Sequence, residues 1–320
     1  MLAPALLDTL RAAVETGSYE SAAARLGVTP SAVSQRMRAL AEAAGGPVIA
    51  RLGPAEPTAL GARILRHARE VAALHAELAA DLGRDGGPRP VAIALNADSL
   101  EAWAVPALAA CEGFRFDVMV LDQDHSADAL RRGEVSAAIT AETAPLPGCD
   151  AHRLGALRYR ACATPAFVTR HFAEGVTERS LATAPLLQFS ALDGLQARWI
   201  EAATGLRLHP PAHRIPASGP FVQATREGLG WGLSPETLVA NDLAAGRLVE
   251  LLPDTPLDTP LAWQVGRAMA GLLAPLTRTI LSEARRRLIR QERSIALARP
   301  RSARAMATTK AAVIRPSTRS

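Results

Sequence analysis

The sequence predicts a helical N-terminal region, built on a winged helix-turn-helix and a long helix, followed by an α/β region. Residues 1–85 are dense in alanine, leucine and arginine, and their apolar positions follow helical spacing. From Val91 onward, short apolar runs typical of strands alternate with amphipathic segments. The breaker cluster GRDGGP at 83–88 separates the two regions, so we expect a domain boundary there.

Composition restricts the class of protein. The chain has 320 residues, 48% of them hydrophobic, which is enough for two or three domains with apolar cores. It lacks an uninterrupted apolar run of about 18 residues and a basic-then-apolar N-terminus, so we expect neither a membrane span nor a secretory signal. The cysteines, Cys111, Cys149 and Cys162, show no CxxC pair and no metal-ligand spacing. This pattern favours a reducing cytoplasm and argues against a disulfide framework or a metal site.

The net charge of +5 is compatible with a polyanionic partner. Arginine supplies nearly all the positive charge, because Lys310 is the only lysine. A GC-rich genome produces the same bias, so the local placement of charge is more informative than its total.

The segment from Ser18 to Gly45, SYESAAARLGVTPSAVSQRMRALAEAAG, has the clearest functional pattern. Its first helix is predicted to close at Gly27, and Thr29 followed by Pro30 predicts the N-cap and first turn of a second helix. The apolar faces of the two helices are Ala22, Ala23 and Leu26, and Val33, Met37 and Leu40. Two helices joined by a tight turn indicate a helix-turn-helix.

Polar residues on the second helix predict contacts with DNA. Glutamine and arginine form paired hydrogen bonds with base edges, whereas serine and threonine more often hold phosphate. The following segment, PVIARLGPAEPTALG, predicts a hairpin wing that brings an arginine towards the backbone. The predicted DNA-binding residues are Thr29, Ser31, Ser34, Gln35, Arg36, Arg38 and Arg51. For the helix pair alone, an ordinary helical hairpin with a solvated polar face is the alternative.

A long helix is predicted from Thr58 to about Leu82. Apolar residues recur at three- and four-residue steps along it, at Leu60, Ile64, Ala68, Val71, Leu74, Leu78 and Leu82. This seam suits a parallel or antiparallel partner helix. Because reading of DNA half-sites usually needs a dimer, we expect self-association through this helix.

At this point the chain resembles a known family. Residues 3–82, and above all SAAARLGVTPSAVSQRMRALA, resemble the winged helix-turn-helix and linker helix of LysR-type transcriptional regulators. The segments NADSLEAW, RRGEVSAAIT and REGLGWGLSPE resemble the effector domain of that family, specifically of its ArgP/LysG subgroup. The subgroup senses lysine, arginine or histidine and controls basic amino-acid exporters. The resemblance covers about residues 3–290.

The resemblance implies a fold and a set of partners. The effector domain would consist of two Rossmann-like subdomains around a cleft, as in periplasmic binding proteins. The partners would be double-stranded promoter DNA, a basic amino-acid effector and a second copy in a homodimer or homotetramer, with RNA polymerase a further candidate. We expect an activator or repressor that is not an enzyme and has no cofactor.

The resulting domain boundaries are expectations. The winged helix-turn-helix would span 1–57, the linker helix and hinge 58–87, and the effector-binding domain 88–291. The chain would cross between subdomains near 160–162 and return near 261–263, so subdomain I would comprise about 88–160 and 264–291, and subdomain II about 161–263. The basic tail at 292–320 has no periodicity and is predicted to be disordered.

Polar residues after the strands of the α/β region predict the binding cleft, because ligands of open α/β sheets lie at the carboxyl ends of strands. The predicted effector-binding residues are Asn96, Asp98, Ser99, Trp103, Asp122, Asp124, Thr140, Phe189, Asp193 and Ser218. Ser99 and the start of its helix would hold the carboxylate of an amino acid, and the aspartates would face its cations. Trp103 would lie along the alkyl stem. The alternatives are that Asp98 and Ser99 only cap a helix, that Trp103 belongs to the core, and that Asp122 and Asp124 are surface acids.

Other chemical signals are weak. GLGWG at 228–232 does not continue as GxGxxG, and prolines around His209 and His213 disfavour a helical metal site. The sequence shows no nucleophile elbow and no P-loop. The main alternative function is an α/β metabolite-binding protein or enzyme with an N-terminal helical oligomerisation module. A nucleoid-type architectural protein attached through the basic tail is the third.

Overall fold

The computed structural model describes residues 2–82, 87–121 and 123–290. Within these ranges it describes the backbone but not the side chains at 77, 80, 81 and 123–125. The tail predicted to be disordered, 292–320, lies outside the described residues. So do Asp122 and most of the predicted boundary segment. The described residues up to Arg290 belong to one structural unit.

The N-terminal part contains four helices and a two-stranded hairpin. These are α1 (Pro4–Thr16), α2 (Tyr19–Leu26), α3 (Pro30–Ala44), β1 (Ile49–Arg51), β2 (Glu56–Pro57) and α4 (Ala59–Asp81). β1 and β2 pair antiparallel, which confirms the predicted wing.

Local signals end and begin the helices where the sequence predicted. The Thr29 hydroxyl accepts a hydrogen bond from the Ala32 N–H at 3.1 Å, and Pro30 occupies the first turn of α3. Gly27 ends α2 with a φ of 65°, in the left-handed region that glycine adopts without strain. The apolar face of α3 is buried, with Leu40 fully excluded from solvent. The helix-turn-helix therefore follows from caps and periodicity alone.

The apolar seam of α4 divides into two parts. Ile64 and Ala68 are buried in the core shared with α1–α3. Leu74, Leu78 and Leu82 further along are 51%, 57% and 61% exposed. The prediction that the whole seam faces a partner helix is therefore wrong for its first half, which packs within the chain.

Among the described residues, the α/β part contains nine further strands. They are β3 (Arg89–Leu95), β4 (Phe114–Val120), β5 (Ala137–Thr140), β6 (Cys149–Ala163), β7 (Leu186–Gln188), β8 (Ala212–Arg214), β9 (Gly232–Pro235), β10 (Val249–Glu250) and β11 (Leu257–Gly266). The strands β3, β4 and β5 are among the short apolar runs that the sequence predicted from Val91 onward.

Helices flank these strands on both sides. They are α5 (Ala97–Ser99), which continues through a π-helical turn (Leu100–Ala104) into α6 (Val105–Ala109), then α7 (Gln123–Arg132), α8 (Pro165–His171), α9 (Glu178–Thr183), α10 (Leu195–Thr204), α11 (Ser218–Arg226), α12 (Glu236–Ala244) and α13 (Ala274–Arg287), with a 3₁₀ turn (Arg267–Met269) before α13.

Two long strands join the halves of a seven-stranded sheet. Its order is β10-β6-β11-β5-β3-β4, with β9 also paired to β6. β6 and β11 pair antiparallel along their length, with a register shift between Leu261 and Ala262. On one side of this shift β11 pairs with β5, and at the far end β6 pairs with β9 and β10. The residues predicted for the two crossings, 160–162 and 261–263, lie within β6 and β11 respectively.

The main core runs through both halves of this sheet and includes four tryptophans, each at most 1% exposed: Trp103, Trp199, Trp231 and Trp263. The three cysteines are buried free thiols. None of the described helices is both long and apolar enough to cross a bilayer. The described ranges also contain no cluster of histidine, cysteine and acidic side chains suited to a metal ion.

Candidate functional site

A cleft lies at the carboxyl end of β3, where the turn into α5 faces α11, β9 and the segment after β7. Its volume is about 60 Å³. The polar residues that line this cleft are Asn96, Asp98, Asp193, Ser218 and Ser234. Its apolar walls include Leu121, Phe189, Leu195, Phe221, Val222 and Leu233. Five of the predicted effector-binding residues, Asn96, Asp98, Phe189, Asp193 and Ser218, therefore line one cavity.

Asp98 bridges the two sides of the cleft. Its Oδ1 accepts a hydrogen bond from Ser218 Oγ at 2.6 Å, and its Oδ2 accepts one from Tyr159 Oη at 2.8 Å. Hydrogen bonds to a carboxylate are stronger than those between neutral groups. The start of α5 has no side-chain cap at Asn96. Asp98 thus joins β6 and α11 to the β3–α5 turn, which goes beyond a helix cap.

Tyr159 is held in its protonated form. Burial raises the pKa of this phenol well above 10.0, and the charge of Asp98 and the hydrogen bond to it raise the pKa further. The hydroxyl is consequently a fixed hydrogen-bond donor to Asp98 at neutral pH.

Asp193 organises the segment between β7 and α10. Its Oδ2 accepts a hydrogen bond from the Phe189 N–H at 2.9 Å, and its Oδ1 accepts one from the Leu195 N–H at 3.0 Å. These bonds fix Phe189 and Leu195 as walls of the cleft. The half-buried carboxylate still lines the cavity, so it supplies negative charge opposite Asp98.

Two buried polar atoms of the cleft make no hydrogen bond to any described residue. They are Asn96 Oδ1 and Ser234 Oγ, on residues that are 6% and 0% exposed. Buried polar atoms nearly always have a partner in native proteins, so such atoms are available to water or a ligand.

Close packing shapes the apolar wall. A Cβ at Gly232 would lie 2.7 Å from the Phe221 ring, so only glycine at this position leaves the ring where it stands. The glycines of GLGWG therefore close α11 and begin β9, which agrees with the sequence interpretation that rejected a dinucleotide loop.

Three predicted effector-binding residues lie away from the cleft. Ser99 is fully buried and does not line the cavity, and its Oγ has no hydrogen-bond partner among the described residues. Trp103 lies in the π-helical turn and is 1% exposed within the main core. Thr140 donates to the Glu142 carbonyl at 2.8 Å and stabilises the loop after β5. These are corrections to the sequence expectation.

Two further predictions cannot be placed. Asp122 lies outside the described residues, and so does the side chain of Asp124. Sequence reasoning also missed Tyr159, Phe221 and Ser234. Ser234 had a usable signal, because it lies near the carboxyl end of the short strand β9. Tyr159 had none, since it lies within a strand.

Six of the seven predicted DNA-binding residues lie on α3 or at its N-cap. Thr29, Ser31, Gln35 and Arg38 are exposed, whereas Ser34 and Arg36 are half-buried. On the wing, exposed Arg51 forms an ion pair with Glu56. The face opposite the buried Val33, Met37 and Leu40 is therefore polar and free of packing within the described chain. Its side chains match the types that contact base edges and phosphates.

Comparison with known families matches almost the whole described chain. The model of the "LysR substrate binding domain" matches residues 84–289. The model of the "Bacterial regulatory helix-turn-helix protein, lysR family" matches residues 4–62.

Individual proteins are similar over the same length. The transcriptional regulator ArgP of Pseudomonas aeruginosa is 41% identical over 293 residues, which cover 89% of this chain and 97% of the relative. The crystal structure of ArgP from Mycobacterium tuberculosis has a TM-score of 0.82 at 38% identity and covers 91% of this chain and 100% of that one.

A third similar protein carries a ligand. The lysine export transcriptional regulatory protein LysG of Corynebacterium glutamicum is 37% identical over 289 residues, covering 88% of this chain and 97% of the relative. Its full-length structure with the bound effector Arg has a TM-score of 0.71 and covers 90% of this chain and 99% of that one.

Proposed function

Because the chain belongs to the LysR family of bacterial helix-turn-helix regulators, we propose that a basic amino acid in the cleft modulates its binding to promoter DNA. Arginine and lysine are the first candidates, and histidine is the third. Bacterial promoter DNA lies in the cytoplasm, so the protein acts there.

The single observation that supports a basic ligand is the pair of carboxylates facing one cavity. Asp98 and Asp193 line the cleft, and no arginine or lysine does so among the described residues. An arginine or lysine ligand carries two cationic groups and an alkyl stem between them. The carboxylates suit the cations, and Phe189, Leu195 and Phe221 suit the stem. The buried Asn96 Oδ1 and Ser234 Oγ add acceptor positions for ligand N–H groups.

The size of the cavity bears on the response. About 60 Å³ is far below the roughly 300–1,000 Å³ of typical small-molecule pockets. We infer that the ligand binds a wider arrangement, in which the hydrogen bond from Ser218 to Asp98 is exchanged for one from the ligand. A ligand that binds one arrangement better than another shifts their populations, as any effector must.

The DNA side of the proposal rests on α3. Gln35, Arg36 and Arg38 would contact bases, and Thr29, Ser31, Ser34 and Arg51 would hold the sugar–phosphate backbone. Dimers of such units read two half-sites. The target gene is proposed by analogy, because the name of the Corynebacterium relative refers to lysine export. We accordingly propose control of a basic amino-acid exporter.

We propose ligand binding without catalysis. The carboxylates of the cleft are hydrogen-bonded to Tyr159, Ser218 and backbone N–H groups, which orient them as acceptors for a cation. The described residues that line the cleft include no histidine, cysteine or lysine.

Calorimetric titration of the full chain tests the ligand class. Arginine, lysine and histidine are compared with citrulline, which replaces the guanidinium by a neutral group of the same shape. Agmatine and δ-guanidinovalerate remove the carboxylate and the α-amino group respectively. We expect arginine or lysine to bind. Citrulline should bind at least about tenfold more weakly, since a charged hydrogen bond is lost. Equal affinity for arginine and citrulline would overturn the proposal.

Substitutions then assign the carboxylates. Asp98→Asn and Asp193→Asn are compared with Asp150→Asn, which removes a surface carboxylate paired with Arg267 outside the cleft. At least one cleft variant should lose the preference for arginine over citrulline, whereas Asp150→Asn should keep it. If both cleft variants keep the full preference, neither carboxylate binds the cation.

A further inference from the structure

A second and larger cavity lies between the N-terminal helices and the edge of the α/β sheet. Its volume is about 440 Å³. Helices α1, α2 and α4 form one side, and β3 and β4 form the other. It shares no lining residue with the cleft. Its size falls within the roughly 300–1,000 Å³ that is typical of small-molecule sites.

The charge of this cavity is strongly positive. Five arginines line it, against the two carboxylates of Glu15 and Asp117. The arginines are Arg11, Arg25, Arg69, Arg89 and Arg115. We refer to this space as the arginine cavity.

On the N-terminal side of the arginine cavity, two arginines form ion pairs with two carboxylates. Glu15 pairs with Arg25 at 2.7 Å and more distantly with Arg11 at 3.7 Å. Arg11 also approaches Asp8 at 3.3 Å. Its Nε atom is buried and has no hydrogen-bond partner among the described residues. A buried N–H of this kind favours an additional acceptor.

Arg69 on α4 adds a half-buried positive charge to the lining of the cavity. Its guanidinium donates to the backbone carbonyls of Gly133 and Glu134 at 3.0 and 2.8 Å. These carbonyls hold α4 against the sheet, but they do not cancel a full positive charge. Burial lowers the pKa of Arg69, although nearby carboxylates including Glu15 oppose that effect.

The sheet side supplies the least compensated cations. Within the described chain, Arg89 on β3 and Arg115 on β4 have no carboxylate within 4.0 Å. Asp117, two residues after Arg115 on the same face of β4, also makes no ion pair in that part of the chain. Guanidinium groups on opposite walls of one cavity repel each other, and an anion between them offsets the repulsion.

We propose that the arginine cavity binds a small polyanion, a molecule with two or more phosphate or carboxylate groups. Arginine is suited to such groups, because its planar fork donates two parallel hydrogen bonds to their oxygens. The ligand would contact Arg11 on one wall and Arg89 and Arg115 on the other. It is chemically the opposite of the ligand proposed for the cleft.

Such a ligand would act on the placement of the DNA-binding helices. It would bind residues of α1 and of the sheet together, so it favours the arrangement in which the two walls are close. Linkage makes this effect reciprocal. If the polyanion changes the affinity for DNA by some factor, DNA binding changes the affinity for the polyanion by the same factor. The arginine cavity would thus give the regulator a second input that is independent of the amino acid.

Calorimetric titration of the full chain with inorganic pyrophosphate, and separately with citrate, tests the site. Wild type is compared with Arg89→Gln, Arg115→Gln and the double variant at constant ionic strength. Arg153→Gln is the matched control, because it removes an exposed arginine on β6 that has no ion pair in the described chain. We expect saturable binding of at least one anion, weakened about tenfold or more in the double variant and by less than about twofold in the control.

Two results would overturn the proposal. One is the absence of saturable binding by either anion. The other is binding that the double variant retains but that Arg36→Gln combined with Arg38→Gln abolishes, since the anion would then occupy the DNA-binding face. The double variant is correctly folded if it binds arginine with wild-type affinity. If the chain does not bind arginine, near-UV circular dichroism verifies the folding of the double variant instead. The outcome for the arginine cavity is therefore separate from that for the cleft.

Discussion

At the scale of single residues, Asp98 shows what a local pattern can and cannot predict. The sequence placed it at the end of a strand, and the structure brings it into the cleft. Its partners are Tyr159, 61 positions away, and Ser218, 120 positions away. Such pairings depend on the tertiary fold, so no local signal indicates them. Trp103 was predicted to contact the ligand but lies in the core. The reason is related, because an aromatic residue near the end of a strand packs in the core as readily as against a ligand.

Tyr159 gives a prediction on stability and pH. The folded state raises its pKa above 10.0, whereas the unfolded chain titrates near the ordinary value. The unfolded state therefore loses its proton first, and this tyrosine lowers the free energy of unfolding as the pH rises above about 10. In Tyr159→Phe this part of the decline should be absent. Urea unfolding across pH 8 to about 11 measures it.

The same substitution has an effect at neutral pH. Asp98 loses a donor, so Tyr159→Phe should lower the free energy of unfolding by about 1–3 kcal/mol. Tyr19→Phe is the control. Burial raises the pKa of Tyr19 as well, but Tyr19 has no carboxylate partner among the described residues. Equal alkaline slopes for wild type and Tyr159→Phe would contradict the assigned environment.

At the scale of elements, periodicity and caps predicted α2, α3 and the wing, since these depend on neighbours within a few residues. The same periodicity could not show which part of α4 packs within the chain and which part is exposed. An apolar stripe has one pattern whether it packs against its own domain or a partner helix. Ile64 and Ala68 do the first, and Leu74 and Leu78 are exposed and available for the second.

Gln35 on α3 tests the reading of base edges. Gln35→Ala should weaken binding to a selected duplex by about 1–3 kcal/mol and leave non-specific DNA binding nearly unchanged. The residue is exposed, so the melting temperature should stay within the error of measurement. Fluorescence anisotropy with specific and scrambled duplexes measures both affinities. A uniform loss on both duplexes would instead assign Gln35 to the phosphate backbone.

Leu78 on α4 tests self-association. Leu78→Glu places a charge in the exposed half of the seam and should shift the protein towards monomers in sedimentation velocity. His67→Glu places the same charge on an exposed position of the same helix and should not. Unchanged assembly in Leu78→Glu would exclude this half of α4 as an interface.

At the scale of the whole molecule, the division into helical and α/β parts followed from periodicity, which changes near residue 88. The two-subdomain arrangement came from the family resemblance. It could not be derived from strand patterns, because β6 and β11 each belong to both halves and pair with each other along their length. The arginine cavity was also beyond sequence reasoning, since it combines residues of α1, α2, α4, β3 and β4.

The central claim is that a basic amino acid changes DNA binding by this protein. The most direct test is the anisotropy of a labelled duplex, selected from random sequence by the full chain, titrated with protein in arginine, in lysine or in citrulline. Allosteric coupling of ordinary size predicts a change in affinity of about 5-fold or more with arginine or lysine and none with citrulline. Sequence-selective binding that responds equally to all three, or no selective binding, would contradict the account.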